Sequence, residues 1–193
     1  MQLILGSSSP YRKALLEKLG IAFSCQSPDI DETSLPGESP LELVERLAIA
    51  KAKEIGKQHK NALIIGSDQV AVLDEKIIGK PADHQAAVEQ LMDASGREVH
   101  LYSGLCLYNS ASGKIQHCVE PYSVVFRDLK LEQIEKYLQK DQPYDCAGSL
   151  KSETLGIALL SKLQGDDPNA LIGLPLIRLV DMLLNEGVDP VLS

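Results

Sequence analysis

The sequence has no tryptophan, only two phenylalanines and six tyrosines, so it lacks the aromatic platforms on which single-stranded nucleic acids stack. It also lacks a basic excess: 19 Lys and Arg stand against 27 Asp and Glu, a formal net charge of -8. That balance excludes a protein that coats nucleic acid or an anionic membrane by bulk charge. No apolar run approaches the roughly 20 residues needed to span a bilayer. The first residues, MQLILGSSSP, carry no basic segment ahead of their short apolar stretch, which predicts a chain without a secretory signal and a cytoplasmic location. The four cysteines, Cys25, Cys106, Cys118 and Cys146, form no C-x-x-C pair. Three of them (Cys25, Cys106 and Cys118) fall in apolar, strand-like segments, which predicts reduced and mostly buried thiols. The four histidines are scattered without metal-ligand spacing, against a zinc site.

The chain does have the composition of an ordinary globular protein, with 193 residues, 44% apolar and 24% charged. A chain of this length buries about 70% of the surface its unfolded form exposes, enough for one domain, with room for two lobes. Residues 2–6 read as a buried strand running into Ser7-Ser8-Ser9-Pro10. Ser9 suits an N-cap and Pro10 the first turn of a helix that Gly20 stops. Residues 21–26 predict a second strand. After an acidic loop, Ser39-Pro40-Leu41-Glu42 forms a capping box opening a helix that ends near Lys57. The run NALIIGSDQVAVL reads as a strand that ends at Gly66, followed by a turn at Asp74-Glu75. Asp83 caps a helix through Met92 that Gly96 ends. Residues 98–109 and 114–126 predict a hairpin, 131–140 a helix, 147–160 a glycine-rich β-like segment, and Pro175 precedes a last helix. This order predicts an α/β fold with a mixed sheet.

Four places could carry chemistry. In strand–GSSSPYRK–helix, small residues allow close backbone approach and the helix start offers unpaired N–H groups and a positive dipole end. Arg12 and Lys13 sit at the wrong helix end for stability, which suits a bound anion; an ordinary serine cap with two solvated cations is the plain alternative. Asp68 lies inside LIIGSDQVAVL, where an unpaired carboxylate is expensive to bury, so it is a turn or capping residue, a metal ligand or a base. Glu32, in IDET, is either a second carboxylate for the same purpose or a solvated loop charge. Lys51, Lys53 and Lys80 taken singly read as surface lysines. The segment AGSLKSETLG, with Lys151 and Glu153, reads as a glycine-rich turn.

Taken together, LILGSSSPYRKALLEKLG, IDET, ERLAIAKAK, IIGSDQV, GKP at 79–81, SGR at 95–97, CAGSLKSETLGIALL and DPNALIGLPL resemble the Maf family of nucleotide pyrophosphatases, in order along nearly the whole chain. The resemblance implies a single Maf-type domain over residues 1–193. Its fold would be two-lobed with an elongated mixed sheet and a cleft between the lobes, related to the inosine-triphosphate pyrophosphatase architecture. It implies hydrolysis of a nucleoside triphosphate between the α and β phosphates with a divalent cation, Mg or Mn. It further implies Asp68 as general base and metal ligand, Glu32 as second metal ligand, and Ser7, Ser9, Arg12, Lys51 and Lys80 as phosphate ligands. The partner is a small nucleotide, with neither nucleic acid nor membrane involved, and the family allows a homodimer.

Three departures from the commoner family pattern are informative. Tyr11 replaces an Arg, Gln69 a Thr, and Glu153 a Gln. They resemble the branch acting on 7-methyl-GTP rather than that acting on dTTP and UTP. A 7-methylated guanine is cationic and is attracted by an aromatic face. Its N1–H and N2–H2 donors suit a carboxylate. The alternatives are a dTTP/UTP pyrophosphatase of the same family, a nucleotide-binding division regulator without essential catalysis, and a phosphatase of another type.

The acidic balance also resolves by position. Residues 1–80 hold 10 basic and 11 acidic side chains (10 − 11 = −1) and residues 81–193 hold 9 and 16 (9 − 16 = −7). Most of the proposed phosphate-binding cations lie in the near-neutral stretch, so the net charge restricts the size of an anionic ligand, not its sign.

Overall fold

The computed structural model describes residues 1–192. The chain runs β1 (Gln2–Gly6), α1 (Pro10–Glu17), β2 (Ser24–Cys25), α2 (Pro40–Gly56), β3 (Ala62–Leu73), β4 (Lys76–Ile78), α3 (His84–Ala94), β5 (Glu98–Asn109), β6 (Ile115–Phe126), α4 (Leu131–Asp141), β7 (Leu160–Gln164) and α5 (Leu176–Leu184). The seven strands form a mixed sheet in the order β2-β1-β3-β5-β6-β7, with β4 paired to β3 off this path. β1 is parallel to β2 and to β3, whereas β4 on β3 and β7 on β6 are antiparallel. This is the mixed α/β fold expected. Among the described residues no helix is long and apolar enough to cross a membrane.

The chain divides into two compact units. The first comprises Met1–Gln69, Tyr102–Glu120 and the chain from Asp167 onward; the second comprises Val70–Leu101 and Pro121–Asp166. β3, β5 and β6 each supply residues to both.

In the first unit the alternation of strand side chains sorts the helices onto opposite faces of the sheet. Leu3, Leu5, Leu63 and Ile65 pack with Leu15 and Leu16 of α1 and Leu179 and Leu183 of α5. Ile4 and Ile64 point the other way and pack with Ala48, Ala52 and Ile55 of α2. The local signals at the helix starts hold. Ser9 Oγ accepts from Arg12 N at 3.3 Å. Ser39 and Glu42 exchange side-chain and backbone hydrogen bonds in a full capping box. In the second unit, Ala71, Val99, Leu101, Val124, Phe126, Leu91 of α3 and Ile134, Tyr137 and Leu138 of α4 are buried, and α3 packs on α4. Asp83 caps α3, and Asp74 and Glu75 take left-handed backbone angles, φ 49° and 65°, in the β3–β4 turn.

The structure corrects four readings of the sequence. β3 does not stop at Gly66 but runs unbroken for 12 residues. Gly66 is there because α2 lies against it: a Cβ would sit 2.1 Å from Ala48 O. Gly104 on β5 serves the same helix, its Cβ position being 2.2 Å from Val44 O. The segment 147–160 is mainly two 3₁₀ turns, Ala147–Ser149 and Leu155–Leu159, and the strand begins only at Leu160. Strand residues between 21 and 26 reduce to Ser24 and Cys25, and Cys25 is exposed because β2 is a two-residue edge. Cys106 and Cys118 match expectation better; burial pushes their thiols up to about 12 and about 11, so both stay protonated and unreactive.

Candidate active site

β3 places Ser67, Asp68 and Gln69 in succession, so Asp68 faces one side of the sheet and its two neighbours the other. Asp68 points to the α2 side and is buried, 8% exposed. Its charge is compensated by Lys51 of α2, whose Nζ donates to Asp68 Oδ1 at 2.7 Å. Lys51 is itself only 6% exposed, not the surface lysine that its residue type suggests. The same Nζ reaches Glu32 Oε1 at 2.9 Å, so one ammonium gathers two carboxylates, one buried and one on an exposed loop.

The loop bearing Glu32 is tied to α2 by a residue that the sequence reading missed. Arg46 donates from Nε and Nη2 to the two carboxylate oxygens of Glu38, at 2.5 and 2.8 Å, and from Nη2 to Thr33 O at 3.1 Å. The forked guanidinium holds the Glu38 carboxyl down at about 2. A basic residue one turn before the site on the same helix was the available signal, but the partner across the loop was not.

On the other face, Ser67 Oγ donates to Gly173 O at 2.8 Å and Arg12 Nε donates to the same carbonyl at 2.9 Å. Gln69 Nε2 lies within hydrogen-bonding distance of Ala170 O (2.7 Å), Leu171 O (3.1 Å) and Ser103 Oγ (3.0 Å). Ser103 Oγ donates to Ala170 O at 2.8 Å. Buried Asp167 shapes that loop, accepting from Asn169 N and Nδ2 and capping α5 through Ile177 N at 2.7 Å. Alternation alone could have paired Ser67 with Gln69, but nothing local could have named a loop about a hundred residues away.

Arg12 is half-buried; burial lowers its pKa, partly offset by attraction to Asp68 and Glu32. Ser7 is buried and its Oγ accepts from Ser9 N at 3.1 Å, which winds the serine loop tightly into α1. Tyr11 is half-buried in the first turn of α1, while Lys13 faces solvent and pairs with Glu17 at 3.9 Å. The structure thus brings Asp68, Lys51, Glu32 and Arg12 into one electrostatic cluster in the first unit, with Ser7, Ser9, Tyr11 and Gln69 on the elements that carry it. Lys80 and Glu153 belong to the second unit, both exposed, Lys80 after β4 and Glu153 in the turn before Leu155.

Among the described residues no group of three or more His, Cys, Asp or Glu gathers to hold a metal. Asp68 and Glu32, two hard oxygen donors already converging on a single cation, match instead what Mg²⁺ asks of a protein: one or two carboxylates, with phosphate oxygens and waters supplying the rest.

The family described as Maf-like protein matches residues 2–186. The chain is 57% identical over 185 residues to a protein of Nitrosococcus oceani named 7-methyl-GTP pyrophosphatase, covering 96% of this chain and 93% of that one. Proteins of the same name from Methylobacillus flagellatus and Colwellia psychrerythraea are 58% and 56% identical over 187 residues, covering 97% of this chain and 97% and 94% of theirs. Among solved structures, the fold is similar to that of the Staphylococcus aureus Ham1 protein. That likeness has a TM-score of 0.50 at 14% identity over 67% of this chain and 74% of that chain, and it concerns the fold alone. With the family match and these relatives spanning nearly its full length, the chain belongs to the Maf family.

Proposed function

We propose that this protein hydrolyses 7-methyl-GTP between its α and β phosphates, giving 7-methyl-GMP and pyrophosphate and so clearing a modified nucleotide from the pool. The observation that carries the reading is the buried Asp68 carboxylate held by Lys51, which also holds Glu32, beside Arg12. Phosphoryl hydrolysis needs charge neutralisation and a positioned water more than covalent help. This cluster suits both needs, and relatives of more than half identity bear the name of that activity.

Asp68 takes the proton of the attacking water. Lys51 donates to Oδ1, so the transferred proton is assigned to Oδ2. Lys51 and Arg12 then face the phosphates, with Ser7, Ser9 and the amides at the start of α1 beside them. Lys51 also acts earlier. Before substrate arrives it balances Asp68 and Glu32, the two carboxylates that would hold a divalent cation. Bound there, Mg²⁺ or Mn²⁺ would neutralise charge on the phosphate oxygens and acidify a water. Lys80, in the second unit, is assigned to phosphate by the family resemblance alone. The family resemblance assigns Tyr11 to the positive ring of the methylated base and Glu153 to its two donors, and Gln69 shapes the loop at 170–173 that holds Arg12 in place.

The test is a panel of 7-methyl-GTP, GTP, UTP and dTTP with Mg²⁺, assayed separately for pyrophosphate and single phosphate. The expected result is the highest kcat/KM for 7-methyl-GTP with pyrophosphate as product, and loss of turnover on chelation. Release of single phosphate, or a preference for UTP or dTTP, would overturn it.

A further inference from the structure

The turn that presents Glu153 is held by two residues of α4 for which the reaction itself has no direct use. Residues 151–156 close on themselves. Thr154 N donates to Lys151 O at 3.3 Å and Thr154 Oγ1 lies 3.2 Å from the same carbonyl. Gly156 is packed so tightly that a Cβ would stand 2.4 Å from Lys151 O. One carboxylate clamps the far side of the turn: Asp141 Oδ2 accepts from Thr154 Oγ1 at 2.6 Å and from Gly156 N at 3.2 Å. The near side is fixed by Tyr137, one helical turn earlier. Its buried hydroxyl accepts from Lys151 N at 2.9 Å and donates to Ser149 O at 3.2 Å. Ser149 holds a left-handed φ of 54°, and its Oγ donates to Gln90 Oε1 on α3 at 2.6 Å. Glu153 therefore sits at the tip of a turn pinned on both sides, next to Thr154.

Asp141 is the last residue of α4, where an acid opposes the helix dipole. A residue that breaks a local stability rule while gripping a functional turn is explained by the grip. We infer that Asp141, supported by Tyr137, is the positioning residue that sets substrate preference by aiming Glu153. The inference rests on the reading of Glu153 as the group that selects the base. It goes further in placing the control of specificity on a helix that supplies no substrate ligand.

The experiment compares Asp141→Ala, Asp141→Asn, Thr154→Val and Glu153→Gln by the ratio of kcat/KM for 7-methyl-GTP to that for UTP, with melting temperatures alongside. Asp141→Ala should lower the ratio about tenfold, mainly through KM for 7-methyl-GTP, because two hydrogen bonds that orient the turn are lost. Asp141→Asn keeps an acceptor oxygen and should restore the ratio to within about twofold of the parent. Thr154→Val removes one of the two bonds in an exposed turn and should give an intermediate ratio, which keeps the inference testable if Asp141→Ala does not fold. If Glu153→Gln collapses the ratio but Asp141→Ala and Thr154→Val lower both substrates equally, the positioning role is overturned and the Glu153 reading stands. If Glu153→Gln itself leaves the ratio unchanged, both are overturned.

Discussion

Lys51 Nζ lies 2.7 Å from Asp68 Oδ1 with both side chains buried, so α2 and β3 are joined by a desolvated ion pair. Removing one partner of such a pair leaves an uncompensated charge, whereas removing both can be nearly neutral. Lys51→Met is therefore expected to destabilise the protein by about 3 kcal/mol. Adding Asp68→Leu should recover most of that loss, measured by urea unfolding. A double variant no more stable than the single one would show that the pair does not carry the stability assigned to it.

Asp68→Asn keeps the size of the side chain and a hydrogen-bond acceptor for Lys51 but removes the base. Turnover should fall by about a thousandfold or more, in the range of lost general-base catalysis, while circular dichroism stays that of the parent. Near-parent activity in the Asp68→Asn variant would sink the role of Asp68 as base.

Tyr11→Arg combined with Glu153→Gln replaces a cation-attracting ring by a cation and a carboxylate by a neutral amide. The ratio of kcat/KM for 7-methyl-GTP to that for UTP should fall by at least about a hundredfold, since pairing a buried donor set correctly decides such preferences. An unchanged ratio would count against both residues as readers of the base.

Gly66 is where the sequence is most easily misread and where packing is tightest. A Cβ there meets Ala48 O at 2.1 Å and Ala52 N at 2.8 Å, all α2 backbone. Gly66→Ala must push α2 off β3, at a cost of about 2–3 kcal/mol. Because Lys51 rides on that helix three residues past Ala48, kcat should fall as well. Gly104→Ala meets Val44 O at 2.2 Å and should be destabilised similarly, with a smaller loss of kcat because that contact falls about two helical turns before Lys51 rather than one. Equal losses of kcat in the two variants would mean that helix displacement does not act through Lys51.

What can be read in advance follows range of interaction. The Ser9 cap, the Ser39–Glu42 box, the Asp74-Glu75 turn and the Asp83 cap are decided within four residues, and each stands in the structure. Gly66 reads as a stop because a glycine that admits a helix backbone looks the same in sequence as one that ends a strand. The 147–160 segment looks β-like from its apolar spacing, but positive φ at Gly148 and Ser149 turns the chain too sharply for a strand. The burial of Lys51 depends on how closely α2 can approach, which Gly66 and Gly104 set from two other strands. The partners of Gln69 at Ala170 and Leu171 lie 101 and 102 residues onward, beyond any local pattern. The resemblance to the Maf family selects Asp68 and Lys51 together, and the geometry supplies the reason that they belong together.

The Arg46–Glu38 fork gives a pH signature. Arg46 lowers the Glu38 carboxyl from an ordinary 4.5 to about 2, chiefly by its side-chain hydrogen bonds. A folded-state pKa below the unfolded value means that the native state releases its proton more readily, so the stabilisation is fully present above pH 4.5 and is lost as pH falls toward 2. The unfolding free energy of the parent minus that of Arg46→Met should therefore be positive and level from about pH 5 to about pH 7 and shrink steadily as pH falls below about 4.5. The Glu38 carboxylate is largely covered and Arg46 only partly exposed, so high salt should narrow the gap at neutral pH only slightly. Arg46 also holds Thr33 O, next to Glu32, so the same variant should bind Mn²⁺ more weakly at neutral pH, where the fork is intact in the parent. A stability gap that grows on acidification would contradict the direction of the Glu38 shift. Unchanged Mn²⁺ affinity would separate the fork's contribution to stability from any part in presenting Glu32.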